Sequence, residues 1–199
     1  MHKGVTMAEN KISHQIQEKQ NLDIRFSEKT LEKVNLILTH YPKGKQKSAL
    51  LPLLHIAQEE FGGSLNVDIM DYVAEFLGIE PIEVYEVATF YTQFYHAPVG
   101  KYVIEVCQTG PCAICGGEDI HQYLEEKLNI KTGETTADCL FTLKTVECLG
   151  ACGYAPAMQI NTEFYEFLNR EKVDSILEEL KNKASEAKPD NSRWAEKYC

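Results

Sequence analysis

Two cysteine pairs constrain this chain more than any other feature: Cys107-x4-Cys112 and Cys148-x3-Cys152, with thirty-five residues between them. Each pair begins at or just after the end of a stretch with strand character, "KYVIEVCQ" and "LFTLKTVEC". If those strands are sheet neighbours, both loops leave the same edge and four thiols converge. Both loops also contain Gly and Pro (Gly110, Pro111, Gly150, Gly153, Pro156), which lets backbone N–H groups turn toward sulfur. The remaining cysteines are Cys115, Cys139 and Cys199, so the total is an odd seven. With no apolar core before a small-residue cleavage site near Met1, that count argues for a reducing compartment and against a disulfide framework. Thiols kept in such a setting are expected to be metal ligands or redox groups.

Three chemistries compete for them. A structural zinc site takes four thiolates, usually from tight C-x2-C knuckles, and makes the chain a zinc-stapled interaction module. The spacings here are x4 and x3, and the one C-x2-C, Cys112-Ala-Ile-Cys115, has no matching partner. That same "CAIC" follows a strand and precedes a helical stretch, as a dithiol redox motif would, but it leaves Cys148 and Cys152 without a role. A [2Fe–2S] cluster spans more distance than a single ion and suits wider, unequal loops. Plant-type spacing starts well at Cys107, Cys112 and Cys115, then strands one of the later pair, so a different scaffold is expected.

The pattern along the chain changes near residue 100. Residues 1–25 are polar and read as a mobile leader. Residues 26–98 read as a helical bundle. Ser27 caps a helix with Leu31, Val34, Leu38 and Tyr41 on one stripe, and Pro42 stops it. A second helix starts near Leu51 and ends at Gly62–Gly63, a third covers roughly 66–77 with Gly78 as the stop, and Pro81 opens a fourth. Tyr85, Phe90, Tyr91, Phe94 and Tyr95 make an aromatic run whose members are expected mostly in the bundle core. Residues 99–180 follow the order β-α-β-β(β)-α, with a hairpin near Asn161–Thr162 and a last helix capped by Asn169, which predicts helices packed on a small mixed sheet. Residues 181–199 read as a polar tail carrying Trp194 and Tyr198, either disordered or an arm that docks on a partner. The expected fold class is therefore α+β.

The net charge of −10 is concentrated with the cysteines: residues 101–180 hold six Lys/Arg against fourteen Asp/Glu. Such a surface repels phosphate backbones, so no nucleic-acid partner is expected. No apolar run approaches the length of a membrane span, so direct membrane insertion is not expected either. There is no G-x-G-x-x-G and no Walker-type loop, hence no NADH site of the chain's own. His2, His14, His40, His55, His96 and His121 sit away from the cysteines and read as surface or core residues, not Rieske-type ligands.

"VCQTGPC" with "VECLGACGYAPAMQIN" resembles the thioredoxin-like [2Fe–2S] ferredoxin family, in particular its E-type members, the small iron–sulfur subunits of NADH:quinone oxidoreductase (respiratory complex I). The resemblance runs from about residue 26 to 180 and includes "SALLPLLHIAQEEFGG", "GIEPIEVYEVATFYTQF" and "KLNIKTGETTADCLFTL". It implies an N-terminal helical bundle followed by a thioredoxin-like α/β domain carrying a [2Fe–2S] cluster, with Cys107, Cys112, Cys148 and Cys152 as the iron ligands. It further implies one-electron transfer with no catalytic residue in this chain. FMN and NADH belong to a flavin- and NADH-binding partner subunit. Other peripheral-arm iron–sulfur subunits lie alongside, in a complex on the cytoplasmic, inner face of the membrane. Relatives serve NAD-linked hydrogenases and formate dehydrogenases. The chain departs from the family at Cys115, where many relatives carry a larger polar or basic residue, and Cys139 and Cys199 are particular to it. An acidic domain opposes the charge added on reduction, so the expected potential is low, toward the plant-type value of about −400 mV.

Overall fold

The computed structural model describes Lys19 and residues 22–186. Most of the leader and the tail beyond Glu186, with Trp194, Tyr198 and Cys199, lie outside the described residues. Two compact units divide at Pro98–Val99.

The first unit is helical. α1 (Glu28–Leu38) starts where expected, with the Ser27 hydroxyl accepting the Thr30 N–H at 3.3 Å. It stops three residues short of Tyr41. After a 3-10 turn at Gln46–Ala49, α2 (Leu50–Glu60) buries Leu53, Leu54 and Ala57. α3 (Val67–Leu77) is capped by Asn66, whose side chain accepts the Ile69 N–H at 2.9 Å, and ends on Gly78 at φ 65°, where a β-carbon would strain the backbone. α4 (Pro81–Phe90) opens on its proline with a Glu80/Glu83 capping box.

Phe26 knits the core, with its ring 5.4 Å from Phe61, 5.0 Å from Tyr72 and 5.9 Å from Phe76. Residues 22–25 are docked rather than loose, for Ile24 is buried and the Leu22 N–H donates to Asp68 Oδ1. The aromatic run departs from expectation. Phe94 alone among its five members is buried, whereas Phe90 is 77% exposed and stacks edge-on against the exposed Tyr91. Val84 and Ala88 form the inward stripe of α4, and Phe90 falls on the opposite side of the helix.

The second unit contains, among the described residues, one four-stranded mixed sheet in the order β2-β1-β3-β4. β1 (Tyr102–Cys107) and β2 (Phe141–Val146) pair in parallel, and β3 (Met158–Ile160) and β4 (Glu163–Tyr165) follow antiparallel. Two helices connect β1 to β2: the short α5 (Gly110–Ile114), which the sequence did not predict, and α6 (Gly117–Leu128). α7 (Arg170–Glu186), capped by Asn169, runs six residues beyond the expected end at Leu180. Strand alternation sends Ile104, Val106, Leu143, Met158 and Ile160 to one face, where Ile120 and Leu124 of α6 and Val173, Ile176 and Leu177 of α7 close over them. At the surface Arg170 pairs with Asp119, and both Tyr123 and Lys127 of α6 reach Asp174 of α7.

Gly117 opens α6 hard against the preceding loop: a β-carbon there would stand 2.8 Å from the Cys112 carbonyl oxygen and 3.2 Å from that of Cys107. Gly117→Ala must push the Cys112 backbone aside, at an expected loss of about 1–3 kcal/mol in urea denaturation. Wild-type stability in that variant would contradict the packing.

In the helical unit Tyr85 donates to Asp71, and burial first, then this carboxylate, push the phenol from 10.0 up to about 12. Because the folded-state value is raised, the stabilisation is complete below pH 10.0 and is lost as the pH climbs through about 12. Tyr85→Phe is expected to remove that part of the alkaline unfolding limb and to cost about 1 kcal/mol or less near neutrality. An unchanged alkaline limb would refute the assignment.

Candidate metal centre

The parallel register of β1 and β2 sets the geometry of the site. Cys107 is the last residue of β1 and stands opposite Val146, the last residue of β2, so the two cysteine loops leave the sheet side by side. Cys107 is buried and keeps its strand bond, its N–H donating to the Ala157 carbonyl at 3.2 Å. Cys112 sits in the middle of α5, also buried. Cys148 and Cys152 are exposed, with their sulfurs 3.9 Å apart across the Gly150 turn, where φ is 77°.

Sequence reasoning singled out these four thiols, and the structure brings them together as two pairs. Cys107 and Cys112 are within hydrogen-bonding reach of each other, and Cys107 lies close enough to Cys148 and Cys152 to raise both by its charge. No group of three or more His, Cys, Asp or Glu among the described residues surrounds a point as a single ion would require. Paired thiols are the arrangement present.

The backbone is arranged for anionic sulfur. Burial pushes the Cys107 thiol up, yet the Thr109 and Leu149 N–H groups, the Thr109 hydroxyl and Cys112 together hold it below the ordinary thiol value. The hydroxyl lies 3.6 Å from the sulfur. Burial raises Cys112, with the Ala157 N–H opposing. The Gly150 N–H, 3.3 Å from Cys148, leads the lowering there, followed by Cys152 and Thr109. Cys152 is raised, chiefly by its hydrogen bond with Cys148. One member of each pair, Cys107 and Cys148, therefore favours the thiolate.

Of the donors, Gly150 alone stood among the loop residues expected from the sequence. Thr109, Leu149 and Ala157 carry no signal in a one-dimensional pattern, because their amides are aimed by loop conformation alone. The Gln108 side-chain nitrogen is buried next to Cys107 without a hydrogen-bond partner. The loop after Cys152 is anchored by Phe167 and Leu168, whose N–H groups donate to the Tyr154 and Pro156 carbonyls. Ala155–Pro156 is cis. Cys115 ends α5 as an exposed free thiol. Cys139 is disulfide-bonded, which departs from the expectation that the thiols stay reduced. Among the described residues the histidines stay out of the site, with His96 buried between the Leu65 and Ala88 carbonyls.

Four thiols in two pairs, with backbone N–H groups turned toward sulfur, fit a binuclear iron–sulfur group. Comparison with known proteins points the same way. The model of the thioredoxin-like [2Fe–2S] ferredoxin family matches residues 34–181. The E-type subunit of the NADH-quinone oxidoreductase of Rickettsia typhi is 46% identical over 162 residues, covering 81% of this chain and 95% of that one. The mitochondrial NADH dehydrogenase [ubiquinone] flavoprotein 2 of Dictyostelium discoideum is 45% identical over 157 residues, covering 79% of this chain and 64% of that protein. Among solved structures, an NAD+-reducing [NiFe]-hydrogenase in its H2-reduced state superposes with a TM-score of 0.59 at 22% identity. The match covers 76% of this chain and 24% of the hydrogenase chain, a likeness of fold. The cysteine loops, the mixed sheet that presents them and the match across most of the sequence place this chain in the thioredoxin-like [2Fe–2S] ferredoxin family.

Proposed function

We propose that the chain is the one-electron transfer subunit of an NADH:quinone oxidoreductase, holding a [2Fe–2S] cluster on Cys107, Cys112, Cys148 and Cys152. The convergence of the two thiol pairs carries this reading, with the 46% identity to the rickettsial E-type protein in support. The cluster supplies a centre that takes up and returns a single electron.

The chain's own residues do the rest. Cys107 and Cys112 hold from the buried side, Cys148 and Cys152 from the exposed side, and the Thr109, Leu149, Gly150 and Ala157 amides stabilise negative charge on sulfur. The exposed pair faces the route to a partner, a flavin- and NADH-binding subunit in this reading. Other iron–sulfur subunits complete the assembly, on the cytoplasmic face of the membrane. No helix among the described residues is long and apolar enough to cross a membrane. The domain limits proposed are a helical bundle over 26–98 and the cluster-bearing domain over 99–180, between the leader 1–25 and the tail 181–199. A place in an NAD-linked hydrogenase or formate dehydrogenase would use the same site, and the partner that co-purifies separates these hosts.

Anaerobic purification should yield iron and acid-labile sulfide in equal amounts, two of each per chain, with a visible spectrum that bleaches on dithionite and one S = ½ EPR signal. Zinc without sulfide would leave a structural module instead. The midpoint potential is expected well below roughly −150 mV, where Rieske-type centres begin. Substituting alanine at Cys107, Cys112, Cys148 or Cys152 should each strip most iron and sulfide, whereas Cys115→Ala should keep them. Loss with Cys115→Ala and retention with Cys112→Ala would overturn the ligand set.

A further inference from the structure

Glu105 and Lys144 form an ion pair inside the sheet of the second unit. They stand directly opposite each other on β1 and β2, with Lys144 Nζ 3.4 Å from Glu105 Oε1 and side chains only 12% and 9% exposed for Lys144 and Glu105. Stability does not explain such a pair. Desolvating two charges offsets most of their attraction, and apolar residues of similar volume serve a sheet as well or better.

Position offers a reason. Strand alternation puts Glu105 on the same face of β1 as Cys107, two residues further on. It puts Lys144 on the same face of β2 as Val146, the residue opposite Cys107. β2 then runs directly into Cys148. The pair therefore sits one step behind both cysteine loops. Burial lowers the Lys144 ammonium, while Glu105 and then Glu147 act to keep it charged.

We propose that Glu105 and Lys144 are a tuning pair that sets the reduction potential of the group held by Cys107, Cys112, Cys148 and Cys152, Lys144 favouring its reduced form and Glu105 its oxidised form. This rests on the ligand reading above. Reduction adds one negative charge to the site; no bond forms or breaks, and no proton is transferred. In a poorly screened interior the two neighbouring charges act on that added charge with opposite signs, and iron–sulfur potentials respond to local net charge. Neither residue is catalytic.

The test uses the full chain, with iron and sulfide assayed in every sample and the midpoint read by EPR-monitored titration. Lys144→Met should move the midpoint negative, Glu105→Gln should move it positive, and the double variant Glu105→Leu/Lys144→Met should fall between the two. Lys144→Arg, which keeps the charge, should stay near wild type. Single variants that retain iron and sulfide yet share the wild-type midpoint, or shift in the same direction, would overturn the proposal. Should Glu105→Gln fail to fold, Lys144→Met against the double variant isolates the carboxylate, and equal midpoints there would overturn it as well. Absence of iron and sulfide from the wild-type chain would instead sink the ligand reading, so the two failures are distinct.

Discussion

The parallel pairing of β1 with β2 is the contact on which the second unit depends. Its six-residue register ends with Cys107 opposite Val146, so the chain turns out of the sheet at two adjacent points, each carrying a thiol pair. A parallel pair cannot be closed by a hairpin; it requires a crossover of a dozen or more residues. α5 and α6 provide that crossover, and α6 becomes half of the apolar cover of the sheet. One hydrogen-bonded ladder thus organises the core on one face and the thiols at one end.

At that end the backbone does much of the chemistry. A sulfur anion in a buried setting is expensive unless donors meet it, and here the donors are peptide N–H groups of Thr109, Leu149, Gly150 and Ala157. At Gly150 the amide comes that close to Cys148 with no side chain of its own to intervene. Gly117 makes the same point from the other side: the start of α6 approaches the Cys112 carbonyl too closely for a β-carbon. The buried Glu105–Lys144 pair adds full charges to a setting otherwise governed by dipoles.

The helical unit is stabilised differently. Its core is aromatic around Phe26 and aliphatic along α2 and α3. α4 is apolar on more than one side, with Ile82 and Phe90 on its surface. Exposed aromatics on a helix that already has its inward stripe mark a surface suited to association, in keeping with relatives that are named as subunits.

Much of the secondary structure was legible in the chain itself. Ser27, Asn169 and Pro81 mark helix starts by satisfying or lacking the N–H groups that a helix leaves free, and Gly78 marks a stop because a residue without a β-carbon takes the left-handed turn unstrained. Period-two alternation located β1 and β2, and cysteine spacing singled out the four thiols. Where periodicity was weak the reading failed: α5 is a single short turn of helix around Pro111, and Phe90 could be placed in or out only by knowing which side of α4 is covered. The sequence by itself determined which segments are helix or strand and which residue types stand at the loops, because those follow from local sterics and the period of apolar residues. Only the tertiary structure decided that β1 and β2 are parallel neighbours, that the Leu149 and Ala157 amides reach Cys107 and Cys112 and that Glu105 meets Lys144. Those depend on contacts between residues about forty positions apart, which no local pattern encodes.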